Sequence, residues 1–314
     1  MNTMDKMDQS LLESVEKLID DYEQKGKTPE EIREHFKKID MKEFCYNYLD
    51  VSVEMLIKSY QEELEISIQK HKKEYEVFQD KLNNIWMEGF RYSEELYHIC
   101  SDILYDCAQN RKNQKFSYML EDLEAISIRA CQVYLEVMVL VKNGFPDGAW
   151  ARWRTMYELS IIAQFISENG EKTAKAYYDT SFSLSDYEWA RTASSFKKYN
   201  PQWKVTFKAI FKRCKKINKK ADKFYKSASV AVHPSALGTF GRIGTCNGDV
   251  GIGPTIYGLA QEASHAAQSL NMVMLAYLKC MKGMYTTIET RVITKWTDEI
   301  KRIYKEIEEN LERK

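Results

Sequence analysis

The chain reads as an all-α protein, and three observations carry that expectation. Only 5 prolines interrupt 314 residues. Apolar positions recur at three- and four-residue spacing through most of the chain, the period of a helix with one buried face. The breaks between those runs carry residues that start or end helices. Large side chains are plentiful, with 20 Tyr, 13 Phe and 6 Trp, which suits an aromatic-rich core. A hydrophobic content of 44% and a charged content of 29% are ordinary for a globular protein. The length leaves room for one large or two modest domains.

An amphipathic helix is expected over about Gln9–Gln24. Thr28-Pro29-Glu30-Glu31 then opens a second, shorter one, with Thr28 as N-cap, Pro29 at the first helical position and Glu31 placed to complete a capping box. From about Val51 to Asn110 the spacing predicts long helices with few breakers. Leu56, Tyr60, Leu64, Ile68, His71, Tyr75 and Phe78 form one stripe among charges of both signs, as in a solvated, coiled-coil-like arm. Residues 1–112 are read as an N-terminal helical region and 113–314 as a helical bundle domain, the boundary falling at the polar Asn110-Arg111-Lys112-Asn113-Gln114.

Denser apolar helices follow. One covers Leu120 to Lys142 and ends at Asn143-Gly144, a C-terminal cap signal. Pro146-Asp147 opens the next, which runs to about Glu168 and closes at Asn169-Gly170. A third is expected over Lys172–Tyr199, broken by Asn200-Pro201, and a basic helix from about Pro201 to Val232. Seven of the 13 glycines then cluster between Gly238 and Gly258. That stretch reads as a loop or short hairpin covering a cleft. A long helix returns over about Tyr257–Tyr285, and another closes the chain.

Charge is segregated. The net charge is zero, yet Lys197–Lys226 holds 12 basic residues against the single acid Asp222, a segment charge of +11 that the rest of the chain balances with −11. Lys204, Lys208, Lys212, Lys215, Lys219, Lys223 and Lys226 recur every three or four residues. Phe207, Ile210, Phe211, Cys214, Ile217, Ala221, Phe224 and Tyr225 fill the opposite stripe. Such a cationic face suits a nucleic-acid backbone. It equally suits an acidic surface of the same chain or of a second copy; attachment to a membrane surface fits less well, because the core needs the apolar face.

Two motifs bring chemistry near this face. Arg154 and Glu158 lie four residues apart, hence on one helix face, within an otherwise apolar stripe. A charged pair in that setting is costly unless its members are paired or used. It is either an ion pair that fixes helix packing or an arginine that contacts phosphate, oriented by Glu158, with Arg152 close by in sequence. The second motif is His233-Pro234-Ser235. Proline ends the basic helix and leaves His233 at its C-terminus, where the helix dipole favours imidazolium. There His233 is an acid or base near neutral pH, or a cap. Ser235 is a turn former or a ligand-binding hydroxyl, and Arg242 with exposed loop amides is a further anion contact.

Several classes are excluded. The seven cysteines are odd in number and lack C-x-x-C spacing, against both a disulfide framework and a zinc site. Neither H-E-x-x-H nor a phosphate-binding glycine fingerprint occurs. No metal and no cofactor are expected. No apolar run approaches the ~20 residues of a bilayer span, and the start has no signal-peptide pattern. The expectation is a cytoplasmic protein with no membrane partner.

From about Leu120 to Leu278 the chain resembles a bacterial helical family of unknown function marked by R-x-x-x-E on a mid-chain helix and by a later H-P-S at a helix end. The matching residues here are Arg154 to Glu158, within Trp150–Phe165, and Tyr225 to Ser235. That family is in turn loosely similar to HEPN domains, helical modules that are often ribonucleases or toxins of bacterial defence. HEPN ribonucleases carry R-x(4–6)-H, in which Arg and His act on the scissile phosphate without metal. This chain departs from the pattern, since Lys226 stands seven residues before His233. Its one literal match, Arg91 to His98, lies outside the resembling region. The resemblance implies an RNA-binding, metal-independent endoribonuclease with His233 as the proton-transfer group and Arg154 and Glu158 at the phosphate. The homodimer is expected from helix packing. A non-enzymatic scaffold or sensor that binds a nucleotide, or a protein partner through the N-terminal arm, is the other class that fits.

Overall fold

The computed structural model describes residues 3–38, 41–111, 115–181, 187–215, 221–232, 236, 253–281 and 286–313. The fold is all-α, with no strand among the described residues. Internal contacts divide the chain into two units, Met1–Phe78 and Gln79–Lys314.

The first unit holds α1 (Thr3–Gln24), α2 (Pro29–Phe36), α3 (Met41–Glu62) and the opening of α4 (Leu64–Arg111). Thr28 forms the expected capping box. Its hydroxyl accepts from the Glu31 amide at 3.4 Å, and the Glu31 carboxylate accepts from the Thr28 amide at 2.9 Å. The Tyr22 hydroxyl lies 2.6 Å from Nε2 of His35, which ties the end of α1 to α2. Tyr60, Leu64, Ile68 and Tyr75 of the predicted stripe are exposed.

The second unit is built on α5 (Tyr118–Lys142), α6 (Pro146–Asn169) and α10 (Ala260–Leu278), which pack mutually, with α11 (Thr287–Glu312) on α10. Their buried positions follow the helical period: Leu123, Ile126, Ala130, Val133, Val137 and Val141 on α5, and Ala263, Ala266, Leu270, Val273 and Tyr277 on α10. The run of alanines lets α10 approach its neighbours closely. From Gln79 onward α4 joins this core through Leu82, Trp86, Phe90 and Leu96. Trp86 donates from Nε1 to the Ile256 carbonyl at 2.9 Å and stacks on Tyr304 at 5.7 Å between centroids. Gly89 leaves space for that tyrosine. A Cβ there would meet the Tyr304 ring at 2.9 Å.

The helix ends around α6 follow the sequence. Asn143 caps α5 and Gly144 adopts φ 77°; Pro146 opens α6, and Gly170, φ 76°, closes it. Positive φ costs glycine nothing, so both turns fall where the chain has one. Glu171 at the start of α7 (Glu171–Tyr178) caps the N-terminus of α5, accepting from the Tyr118 amide at 2.7 Å and the Met119 amide at 3.2 Å.

Three expected elements differ. The helix predicted over Lys172–Tyr199 is α7 followed by two short 3-10 helices, Tyr187–Thr192 and Ser194–Phe196. Burial of Trp189, Ala190, Ala193 and Phe196 decides that path. The Arg191 guanidinium, over the Tyr199 ring, also reaches the carbonyls of Asn200, Pro201 and Trp203. The single basic helix over Pro201–Val232 is broken as well. The chain turns through Pro201–Thr206, forms the short α8 (Phe207–Phe211), and leaves helix again over 212–215; among the described residues the next helix is α9 (Ala221–Val232). Arg213 lies 4.2 Å over the Phe196 ring and donates to the carbonyls of Ser195 and Ala209, while the Lys215 amide donates to the Glu168 carboxylate at 2.9 Å. Those tertiary bonds outweigh continuation of the helix. Finally, the helix expected over Tyr257–Tyr285 begins at Ala260 and ends at Leu278.

Candidate functional site

α9 packs on α6, and this contact unites the R-x-x-x-E motif with the helix that leads to His233. Arg154 and Glu158 occupy the α6 face that meets Tyr225 of α9. The Arg154 Nη2 donates to the Tyr225 hydroxyl at 3.0 Å, and that hydroxyl donates to Oε1 of Glu158 at 2.6 Å. Arg154 and Glu158 themselves stand 3.9 Å apart, so the tyrosine is their tighter link. The Arg154 guanidinium also lies over the Tyr225 ring, 4.8 Å from its centroid. The pair is half-buried, with side chains 21% and 30% exposed, so water screens it only in part.

Burial pushes the Tyr225 hydroxyl up to about 12, with the hydrogen bond to Glu158 acting in the same direction and Arg154 opposing it. Tyr225 is therefore a neutral donor at physiological pH. Arg154 keeps Nε enclosed and without a hydrogen-bond partner. A buried guanidinium N–H without an acceptor is unusual, and any acceptor, anionic or neutral, would satisfy it.

Around this cluster the rings of Tyr157, Phe207 and Tyr225 meet, with centroids 5.3 Å apart for Tyr157–Tyr225 and 5.4 Å for Phe207–Tyr225. His265 of α10 lies within a second ring group, 4.3 Å from Phe224 and 5.4 Å from Trp153. Burial, then the charge of Lys301, lowers its pKa to about 4, so its imidazole is neutral.

The lysine face keeps its sidedness although the helix is broken. Lys208, Lys212, Lys215, Lys223 and Lys226 are exposed, while Ile210 and Cys214 are buried. Arg152 is not brought to Arg154: two positions away on α6 it faces α5 and pairs with Glu136. His233, Ser235, Lys219 and Arg242 lie outside the described residues, as does most of the glycine-rich stretch. Arg91 and His98 sit on α4, and both are exposed. The thiols of Cys100, Cys107, Cys131 and Cys214 are free and buried, and burial raises the pKa of each.

Sequence reasoning missed Tyr225 as a polar participant, since it fell on the apolar stripe of the basic run. The signal was an amphipathic ring opposite a charged pair that needed a partner. Among the described residues no three His, Cys, Asp or Glu side chains converge as a metal site requires. No helix among them is long and apolar enough to cross a membrane.

Residues 125–194, which include Arg154 and Glu158, match a family of unknown function (DUF5677). No curated protein and no solved structure matches the chain.

Proposed function

We propose that the chain is a HEPN-like protein that binds RNA and cleaves it without metal, of the kind that serves bacterial defence. The observation that carries this reading is the α6–α9 junction. Arg154, bridged to Glu158 by Tyr225, keeps one enclosed N–H without an acceptor. α9 ends at Val232, immediately before His233. Its exposed lysines would hold the ribose-phosphate backbone.

In the proposed step His233 takes the proton of the ribose 2′-hydroxyl. The 2′-oxygen forms its bond to phosphorus, the bond to the 5′-oxygen breaks, and that oxygen takes a proton from water, while the His233 imidazolium returns its own proton to solvent, so that no net proton is gained or lost. A 2′,3′-cyclic phosphate results. Arg154 stabilises the charge of the phosphorane, and Glu158 and Tyr225 position Arg154. Arg152, held by Glu136, is left out of this role.

The test is cleavage of end-labelled RNA with and without a chelator. Cleavage that survives chelation, yields cyclic phosphate and is lost in His233→Ala with an unchanged helical CD spectrum is the expected result. Cleavage retained in that variant overturns the mechanism. A gel shift at ~50 and ~200 mM salt tests binding separately, with affinity falling steeply at the higher salt. A second reading draws on the same junction: a guanidinium already bridged to a carboxylate also locks two helices together. It describes a non-enzymatic scaffold or sensor for a nucleotide or a protein, and it predicts no turnover of any RNA.

A further inference from the structure

Two turns along α6 from Arg152, on the same face toward α5, Leu159 borders a different kind of place. A cavity of about 410 Å³ lies among α5, α6 and the end of α7, walled by Ile126, Leu159, Tyr177 and Tyr178, with Asp122 in its lining. Asp122 is 4% exposed, and its Oδ2 is enclosed without a hydrogen-bond partner. A buried carboxylate without a donor or a counter-charge is rare, because desolvation of the anion is uncompensated.

The neighbouring charges do not compensate it. Glu121 is held by Arg111, Glu171 is occupied with the amides at the start of α5, and Asp179 pairs with Lys175 at 2.7 Å. Arg129, at the edge of the cavity, is directed to Glu136 at 3.7 Å and Gln132 at 2.8 Å. None of these cations is directed at Asp122. Burial, followed by the charges of Glu171, Glu121 and Asp179, pushes the Asp122 carboxyl up to about 7.

We propose that this cavity binds a small organic cation, an ammonium group carried on an apolar body, with Asp122 as its counter-ion and the tyrosine and aliphatic walls receiving the body. A single carboxylate among rings and methyl groups offers too few oxygens for a calcium or magnesium ion. A desolvated ammonium gains from both a carboxylate and aromatic faces. The site stands apart from the RNA reading, and its test does not involve RNA.

The probe is 2-phenylethylamine, titrated calorimetrically into the full chain at pH 7 in two buffers of different ionisation enthalpy. Its neutral analogue 2-phenylethanol and its anionic analogue 3-phenylpropanoate serve as controls. Saturable binding of the amine alone is expected, with release of a fraction of a proton as the cation draws Asp122 into its ionised form. Asp122→Asn, of the same shape, should weaken binding at least tenfold. Leu159→Trp should block it by filling the cavity while leaving the carboxylate in place. The proposal is overturned if the amine fails to bind, if the alcohol binds as tightly, or if Asp122→Asn binds the amine unchanged.

Discussion

Two acidic side chains on neighbouring helices meet opposite fates. Glu158 of α6 is half-buried and satisfied, holding the Tyr225 hydroxyl at 2.6 Å and through it the Arg154 guanidinium. Asp122 of α5 is more deeply buried and has no such partner. The contrast shows that burial alone does not tell a structural carboxylate from one kept in reserve. What separates them is whether the fold supplies a cation and a donor. At Glu158 it supplies both, and the remaining valence is the Arg154 Nε. At Asp122 the nearby cations are committed to other carboxylates.

The largest effect expected from breaking this contrast is at Glu158. Glu158→Ala leaves the partly buried guanidinium without its carboxylate and should cost about 2–3 kcal/mol, below the full range for a wholly buried pair. Urea unfolding reads the loss. Arg154→Leu combined with Glu158→Leu should cost less than Glu158→Ala alone, since no charge is then stranded. Tyr225→Phe keeps the stacked ring and deletes only the bridge, for about 1–2 kcal/mol.

Asp122→Asn should act in the opposite direction. The carboxyl has a folded pKa near 7 against 3.8 for the ordinary group, so the folded chain binds more protons than the unfolded chain between those values. Wild-type stability should therefore fall as pH rises from about 4 to above 7. The asparagine variant should lose that slope and melt a few degrees higher at pH 8, a gain of about 1–2 kcal/mol. An unchanged slope in the variant would assign the pH dependence elsewhere. The smallest effect belongs to Lys215→Ala, whose exposed side chain should alter stability by less than ~0.5 kcal/mol. Under the RNA reading it should still lower the salt dependence of binding.

How much of this was legible depends on whether the deciding interaction is local. The Thr28 capping box, the Asn143-Gly144 and Asn169-Gly170 ends and the Pro146 start are settled within a few residues, and each stands where its residues put it. Placement of Arg154 and Glu158 on one face follows from helix geometry alone. The break in the basic run was not legible, because its period continues through the break. It is Arg213 on Phe196 and Glu168 on the Lys215 amide, both distant partners, that end α8. Asp122 was equally hidden. In the sequence it is one acid among several on an amphipathic helix, and only the packing of α6 and α7 encloses it.

The contact between Gly89 and the ring of Tyr304 has a bearing on how the last helix finds its place. Along α4 the residues one turn to either side are Ile85 and Ser93, and both carry the Cβ that the ring excludes. Sliding α11 by a single turn, about 5.4 Å, would drive the phenol into one of them. A missing methyl thus acts as a notch that admits one alignment of two long helices and rejects the adjacent ones, so that filling it with alanine should disturb registration before it disturbs helicity.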